Sequence, residues 1–125
     1  MNDLIGLQYQ WGANPDETPG YCDCFQLFCA VRRRLRMKDY AQQFAWVYEQ
    51  YEEASFSWRI MKTWLKENCF PTIETNNGDV GMFVKRPALA TVANGRIYCI
   101  APRGRSVSMI SSKDALSSIN WFRPQ

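Results

Sequence analysis

From Cys24 onward, apolar side chains recur at the spacing of a helix: Cys24, Phe28, Val31 and Leu35 stand at i, i+4, i+7 and i+11, which lines them along one face. Asp23 precedes the run in the N-cap position, where a carboxylate can accept from the free N–H groups of a first helical turn. A helix is therefore predicted from Cys24 to about Met37. Arg32, Arg33, Arg34 and Arg36 crowd its last turn, where the helix dipole favours cations, and this accounts for the cluster without a ligand. A second helix is predicted over Tyr40 to Ala54, with Phe44, Val47, Tyr48 and Tyr51 on one face. A third is predicted over Ser57 to Asn68, through Ile60, Met61, Trp64 and Leu65, and Phe70-Pro71 stops it. Ahead of these, residues 4–12 read as a short helical turn leading into a glycine, and residues 14–20 as a surface loop.

After Asn76-Asn77-Gly78 the period changes to two. Val80, Met82 and Val84 alternate with Gly81 and Phe83, and Ala88 to Val92 forms another extended run. Asn94-Gly95 is a strong hairpin signal and returns the chain as Ile97 to Ile100. Pro102-Arg103-Gly104 turns it again into Val107 to Ile110, and Ile119 to Phe122 is the last strand. Helices first and an antiparallel sheet second predict an α+β fold, with helices on one face of the sheet. Without repeats or a long linker, residues 1–125 are expected to form one domain.

Composition supports this reading. The chain has 125 residues, of which 46% are apolar and 14% aromatic, enough for one core. No uninterrupted apolar stretch reaches the roughly 18 residues of a membrane span, and the N-terminus lacks the basic start of a secretory signal, so synthesis and retention in a cytoplasm are expected. The net charge of +3 is unevenly divided: residues 1–78 hold eight basic and ten acidic side chains, residues 79–125 seven and two. The basic residues are scattered and form no stripe, so nucleic acid is not expected as a partner. Five cysteines cannot all pair, and free thiols are expected, with Cys29 and Cys99 as small core residues. Cys22 and Cys24, with Cys29, Cys69 and Cys99, lack the spacing of a zinc site. No metal or other cofactor is expected.

Cys24 is the candidate for chemistry, since unpaired N–H groups and the helix dipole at a first turn can stabilise a thiolate. The surrounding residues resemble the NlpC-type cell-wall peptidases, papain-like cysteine hydrolases of bacterial peptidoglycan and of phage tails. The family opens on approximately Tyr-x-Trp/Tyr-Gly-Gly, then Gly-Phe/Tyr-Asp-Cys-Ser-Gly-Leu. This chain reads Tyr9-Gln10-Trp11-Gly12-Ala13, then Gly20-Tyr21-Cys22-Asp23-Cys24-Phe25-Gln26-Leu27. Gly78-Asp79-Val80-Gly81-Met82-Phe83 is similar to the family's Gly-Asp-Leu-x-x-Phe at the start of the sheet, and Trp121-Phe122-Arg123-Pro124 to its closing Arg-Arg-Pro strand. The resemblance implies a papain-like fold with the helix starting at Cys24 packed on a C-terminal antiparallel sheet or half-barrel. It also implies a cleft containing Cys24, Tyr9, Trp11 and Asp79, with Asp23 as the cap beside the thiol.

The departures fall on the chemistry. The family's histidine begins the strand that here reads Ala88-Leu89-Ala90-Thr91-Val92, the chain contains no histidine, and nothing suitable stands at Tyr98 to Ala101 for the orienting third residue. Phe25-Gln26 replaces Ser-Gly after the thiol. A general acid–base typically contributes 10²- to 10⁴-fold, and a thiolate alone cannot protonate a departing amine. Cys24 is thus either a vestigial nucleophile kept as a small residue or a reactive thiol whose base comes from another residue or chain. By resemblance, the first alternative implies a structural or docking module of a phage tail tip or baseplate, assembled in the host cytoplasm and carried in the virion. Its partners would be other tail proteins, with peptidoglycan as a further one. The second implies a peptidase or amidase cutting peptidoglycan peptides. Trp11, Trp46, Trp58, Trp64 and Trp121 read as core residues or, where exposed, as interface anchors, and Tyr40, Trp46, Tyr48 and Tyr51 make the second helix a candidate docking face.

Overall fold

Asp23 caps the first long helix, α1 (Cys24–Arg34), and its side chain accepts from the backbone N–H groups of Phe25 and Gln26. In the computed structural model, which describes residues 1–102, 104–110 and 118–125, α1 is the central element. It is buried on nearly every face from Phe25 to Arg32, not along one stripe, because it lies between two groups of partners. On one side Phe25, Phe28 and Cys29 meet the other helices, and on the other Leu27, Ala30 and Val31 meet Tyr98 and Val107 of the sheet. The helix ends three residues earlier than predicted. Arg36 turns to a left-handed φ of 58° and the Met37 N–H closes back on the Arg32 carbonyl at 2.9 Å, an end of the Schellman kind.

The second helix, α2 (Ala41–Gln50), also stops short of its predicted Ala54: Tyr51 is extended, and Glu53–Ser55 forms a separate 3-10 turn closed by a capping box between Glu52 and Ser55. Its neighbour α3 (Trp58–Asn68) matches its predicted span, with Ser57 as N-cap. Aromatic rings join the three helices. Phe25 stacks on Phe44 with centroids 4.2 Å apart, and Trp64 stands edge-on to Phe25 at 5.1 Å, an offset and T-shaped geometry that rings prefer.

Residues 4–12 do not form the expected helical turn. A 3-10 turn covers Asn2–Leu4, and Gln8–Tyr9 form a short strand, β1, parallel to β2 (Tyr21–Cys22). The local pattern is overridden by distant partners: the Gly6 and Tyr9 N–H groups donate to the carbonyls of Val107 and Arg105, and Gln8 N–H to that of Gly20.

The remaining strands are β3 (Cys69–Thr72), β4 (Val80–Phe83), β5 (Leu89–Ala93), β6 (Arg96–Ile100), β7 (Val107–Ile110) and β8 (Ile119–Pro124). They form one antiparallel sheet in the order β3-β8-β4-β5-β6-β7, so the fold is α+β. The Asn94-Gly95 turn has both φ values positive, as a type I′ hairpin requires. Of the predicted Pro102-Arg103-Gly104 turn, Arg103 lies outside the described residues. β3 is a strand that the sequence reading lacks: Phe70-Pro71, which ends α3, continues directly into it. Proline is tolerated here because β3 is an edge strand paired only with β8. Gly81 in β4 is a packing requirement: a Cβ there would overlap Ile119 Cγ2 and approach the Trp121 ring to 3.0 Å.

Candidate functional site around Cys24

Cys24 is the first residue of α1, and α1 packs on β5, so the thiol faces the beginning of that strand. Beside it lies a cavity of about 400 Å³, whose wall includes Tyr9 and Trp11 from the N-terminal segment, Phe56 and Trp58 from the entry to α3, and Ala88 and Ile100 from the sheet. Three of the four residues placed in the cleft by resemblance, Tyr9, Trp11 and Cys24, thus share one cavity. Asp79 is not among its lining residues.

The reason Asp79 stands apart is strand register. Cys24 meets the sheet near Ala88 and Leu89, where β4 is ending, because Met82 pairs with Leu89. Asp79 precedes β4, and the Val92 N–H donates to its carbonyl, roughly 10 Å further along β5 at about 3.3 Å per residue. Its buried carboxylate accepts from the Asn76 N–H at 2.8 Å and pairs with Arg123 at 3.1 Å, closing the turn into β4. Arg32 Nη1 donates to the Gly78 carbonyl at 2.9 Å, tying the same turn to α1.

Asp23 does more than cap α1. Oδ1 accepts from Phe25 N–H at 2.8 Å, Gln26 N–H at 3.0 Å and the Tyr48 hydroxyl at 2.7 Å, and Oδ2 accepts from Gly12 N–H at 3.1 Å. The carboxylate thereby joins three segments, α1, α2 and the loop after Trp11. Burial raises its pKa, against the pull of all four donors. Each oxygen is used for structure, so Asp23 is poorly placed to orient or deprotonate anything in the cavity. Gly12 approaches Tyr48 so closely that a Cβ would lie 3.2 Å from its ring, and its φ is +75°.

Cys24 as a residue is half-buried. Enclosure pushes the Cys24 pKa well above the ordinary thiol value, and the Asp23 charge adds to the rise, while the Leu89 and Phe25 N–H groups only partly offset it. Burial thus opposes the stabilisation that the helix start offers a thiolate at this position. Cys29 and Cys69 are also pushed up, each to about 12, chiefly by burial. All five cysteines are free. Tyr9 stands under the Arg105 guanidinium at 4.0 Å, and its hydroxyl pKa is raised, by burial first and then by Asp23 and Cys24.

Several lining residues were not anticipated from sequence. Glu53 and Arg105 pair across the cavity mouth at 2.8 Å. Arg86 lies with its guanidinium 4.1 Å above the Phe83 ring, and its Nη1 donates to the Ile100 carbonyl at 3.2 Å. The only sequence hint was the excess of basic residues after residue 78. The candidate docking face of α2 is corrected in part: Tyr40 is buried and its hydroxyl donates to the Gln125 carbonyl, and Tyr48 turns inward to Asp23, whereas Trp46, at 44% exposure, and the half-buried Tyr51 stay at the surface and line a cavity between α2 and α3. Trp64 and Trp121 belong to the core, while Trp11 and Trp58 are half-buried at the cavity. Trp11 Nε1 donates to the Tyr51 carbonyl at 3.2 Å.

Among the described residues, no three His, Cys, Asp or Glu side chains converge as metal ligands, and no helix is long and apolar enough to cross a membrane. Comparison of the chain with known protein families, curated proteins and solved structures finds no significant match.

Proposed function

We propose that this chain is a non-catalytic, peptidase-like module that serves in assembly or docking, and that by its resemblance to the NlpC-type peptidases it belongs to a phage tail tip or baseplate. Its partners would then be other tail proteins. One observation carries the non-catalytic part: the thiol at the head of α1, its pKa shifted upward by burial, has no imidazole to serve as its proton shuttle. The strand facing Cys24 presents Ala88 and Leu89 where the family has its histidine, and the chain has no imidazole anywhere. Thiol attack on an amide gives a tetrahedral adduct that collapses forward only if the nitrogen is protonated as it leaves. Tyr9, whose pKa is raised, is an unsuitable acid for that step.

A second reading, a working cysteine peptidase or amidase, draws on Glu53, a carboxylate lining the same cavity. Its oxygen is engaged by Arg105 at 2.8 Å, and catalysis would require that pair to open. Incubation of the purified chain with peptidoglycan stem peptides separates the two readings. No turnover by the unmodified chain or by Cys24→Ala, with both forms assembling equally, is expected. Cleavage that disappears in Cys24→Ala would overturn the proposal.

A further inference from the structure

We infer that the cavity beside Cys24 is a receptor for the C-terminal carboxylate of a peptide ending in an apolar residue, with Arg86 as the anchor. The inference deepens the docking reading above and rests on it, since a docked chain end must remain uncut. It begins with charge. Among the described residues, two cations and one anion line the cavity. Arg105 is neutralised by Glu53 at 2.8 Å, whereas Arg86 makes no ion pair among the described residues. The Arg86 guanidinium lies over Phe83, donates to the Ile100 carbonyl and contacts the Cys99 side chain, none of them a carboxylate, and a carboxylate is the partner whose geometry a guanidinium matches.

The rest of the wall indicates what the carboxylate is attached to. Trp11, Phe56, Trp58, Ala88 and Ile100 are apolar or aromatic, and a cavity of this kind with one oriented polar anchor takes a largely apolar ligand. A chain end suits the shape better than an internal acidic residue. The exposed residues Glu53, Pro87, Pro102 and Arg105 form the mouth, and the buried Ala88 and Ile100 with half-buried Cys24 form the inner wall. A terminal residue enters such a recess once, whereas an internal one must bring both of its flanks across the mouth.

The test is a titration of the full chain, followed by tryptophan fluorescence and calorimetry, with three peptides: acetyl-Gly-Gly-Leu with a free carboxylate, the same peptide as its C-terminal amide, and acetyl-Gly-Glu-Leu amide. Saturable binding of the free acid, at least tenfold tighter than either amide, is expected. Arg86→Gln should abolish the preference and Arg105→Gln should preserve it. Equal binding of acid and amide, preference for the internal glutamate, or no saturation by the free acid up to ~1 mM would overturn the inference. The three-peptide comparison on the unmodified chain decides this even if Arg86→Gln does not fold. Mass spectrometry of the recovered peptide keeps the two proposals apart: a preferred but cleaved acid overturns the non-catalytic reading alone, and an uncleaved peptide without acid preference overturns the anchor alone.

Discussion

Asp23 and Asp79 are both almost completely buried, and both precede a regular element, α1 and β4 respectively. Their surroundings differ. Asp79 meets a cation, Arg123, and its turn is tied down by Arg32 and by the hydrogen bond from Thr91, so that end of the molecule is closed. Asp23 accepts only from neutral donors, and the residue after it opens on a cavity. A carboxylate satisfied by backbone N–H groups and one phenol holds three segments in place without a counter-charge, and the cationic side chains nearby are left on the cavity wall. Of those cations, Arg105 is paired with Glu53, and Arg86 makes no ion pair among the described residues.

The largest effect that would break this comparison is the loss of Asp23. Asp23→Ala leaves the N–H groups of Gly12, Phe25 and Gln26 and the Tyr48 hydroxyl without their acceptor, and a lost cap plus unsatisfied buried donors should cost about 3 kcal/mol or more. Urea unfolding should show a smaller loss for Asp79→Ala, because Arg123, with 40% of its side chain exposed, can turn to water. Equal losses would mean that the Asp23 contacts contribute no more than an ordinary cap. Next in size, Gly81→Ala introduces a Cβ into Ile119 and should cost about 1–3 kcal/mol by overpacking, a defect confined to the sheet that should leave thiol reactivity unchanged. Tyr48→Phe removes one bond to Asp23 and should cost about 1.5 kcal/mol. It should also make Cys24 easier to alkylate, since Tyr48 holds the helix start against Trp11.

Thiol chemistry tests the cavity end directly. With its pKa raised by enclosure, Cys24 should react with iodoacetamide much more slowly than a free cysteine at pH 8, and its rate should climb only at strongly alkaline pH. The rate can be followed by mass spectrometry against a variant in which Cys24 is alanine. A reaction midpoint at or below that of free cysteine, roughly 8.5, would show that the helix start dominates over desolvation and would reopen catalysis.

What was legible in the sequence was what local chemistry decides. The Asp23 cap, the helix beginning at Cys24, the span of α3 and the Asn94-Gly95 hairpin each depend on residues within a turn or two of one another. What was not legible depends on distant partners. β1 pairs with β2 and is held further by the Arg105 carbonyl, about a hundred residues away, which accepts from the Tyr9 N–H. β3 forms because β8 returns beside it, and Tyr48 faces Asp23 across 25 positions. Asp79 was placed in the cleft because a motif gives order along the chain but not distance along a strand, and three residues of register carry it to the opposite end. Arg86 and Arg105 read as scattered surface charge, since nothing in the sequence shows that two separate loops meet above Cys24.

The smallest expected effect concerns what holds the loop leading to Asp23. Arg34 reaches from the end of α1 to Asp3 at 2.7 Å and Asp16 at 2.8 Å, and Arg33 joins Asp16 at 2.8 Å. Hydrogen bonding to Arg34 is the chief cause that holds both carboxyls below their usual range. A depressed carboxyl pKa stabilises the fold above the unfolded value near 3.8, and that contribution is lost as pH falls through the folded values. Both acids are well exposed, so solvent screening limits the network to about 1 kcal/mol or less. Stability measured by urea between pH 6 and pH 3 should therefore fall less steeply in Arg34→Gln than in the unmodified chain, the difference appearing only below about pH 4 and shrinking with added salt. If the two curves remain parallel to the lowest pH reached, the loop is held by Asp23 and the backbone alone, and the arginines at the end of α1 serve the helix dipole without serving the cavity end.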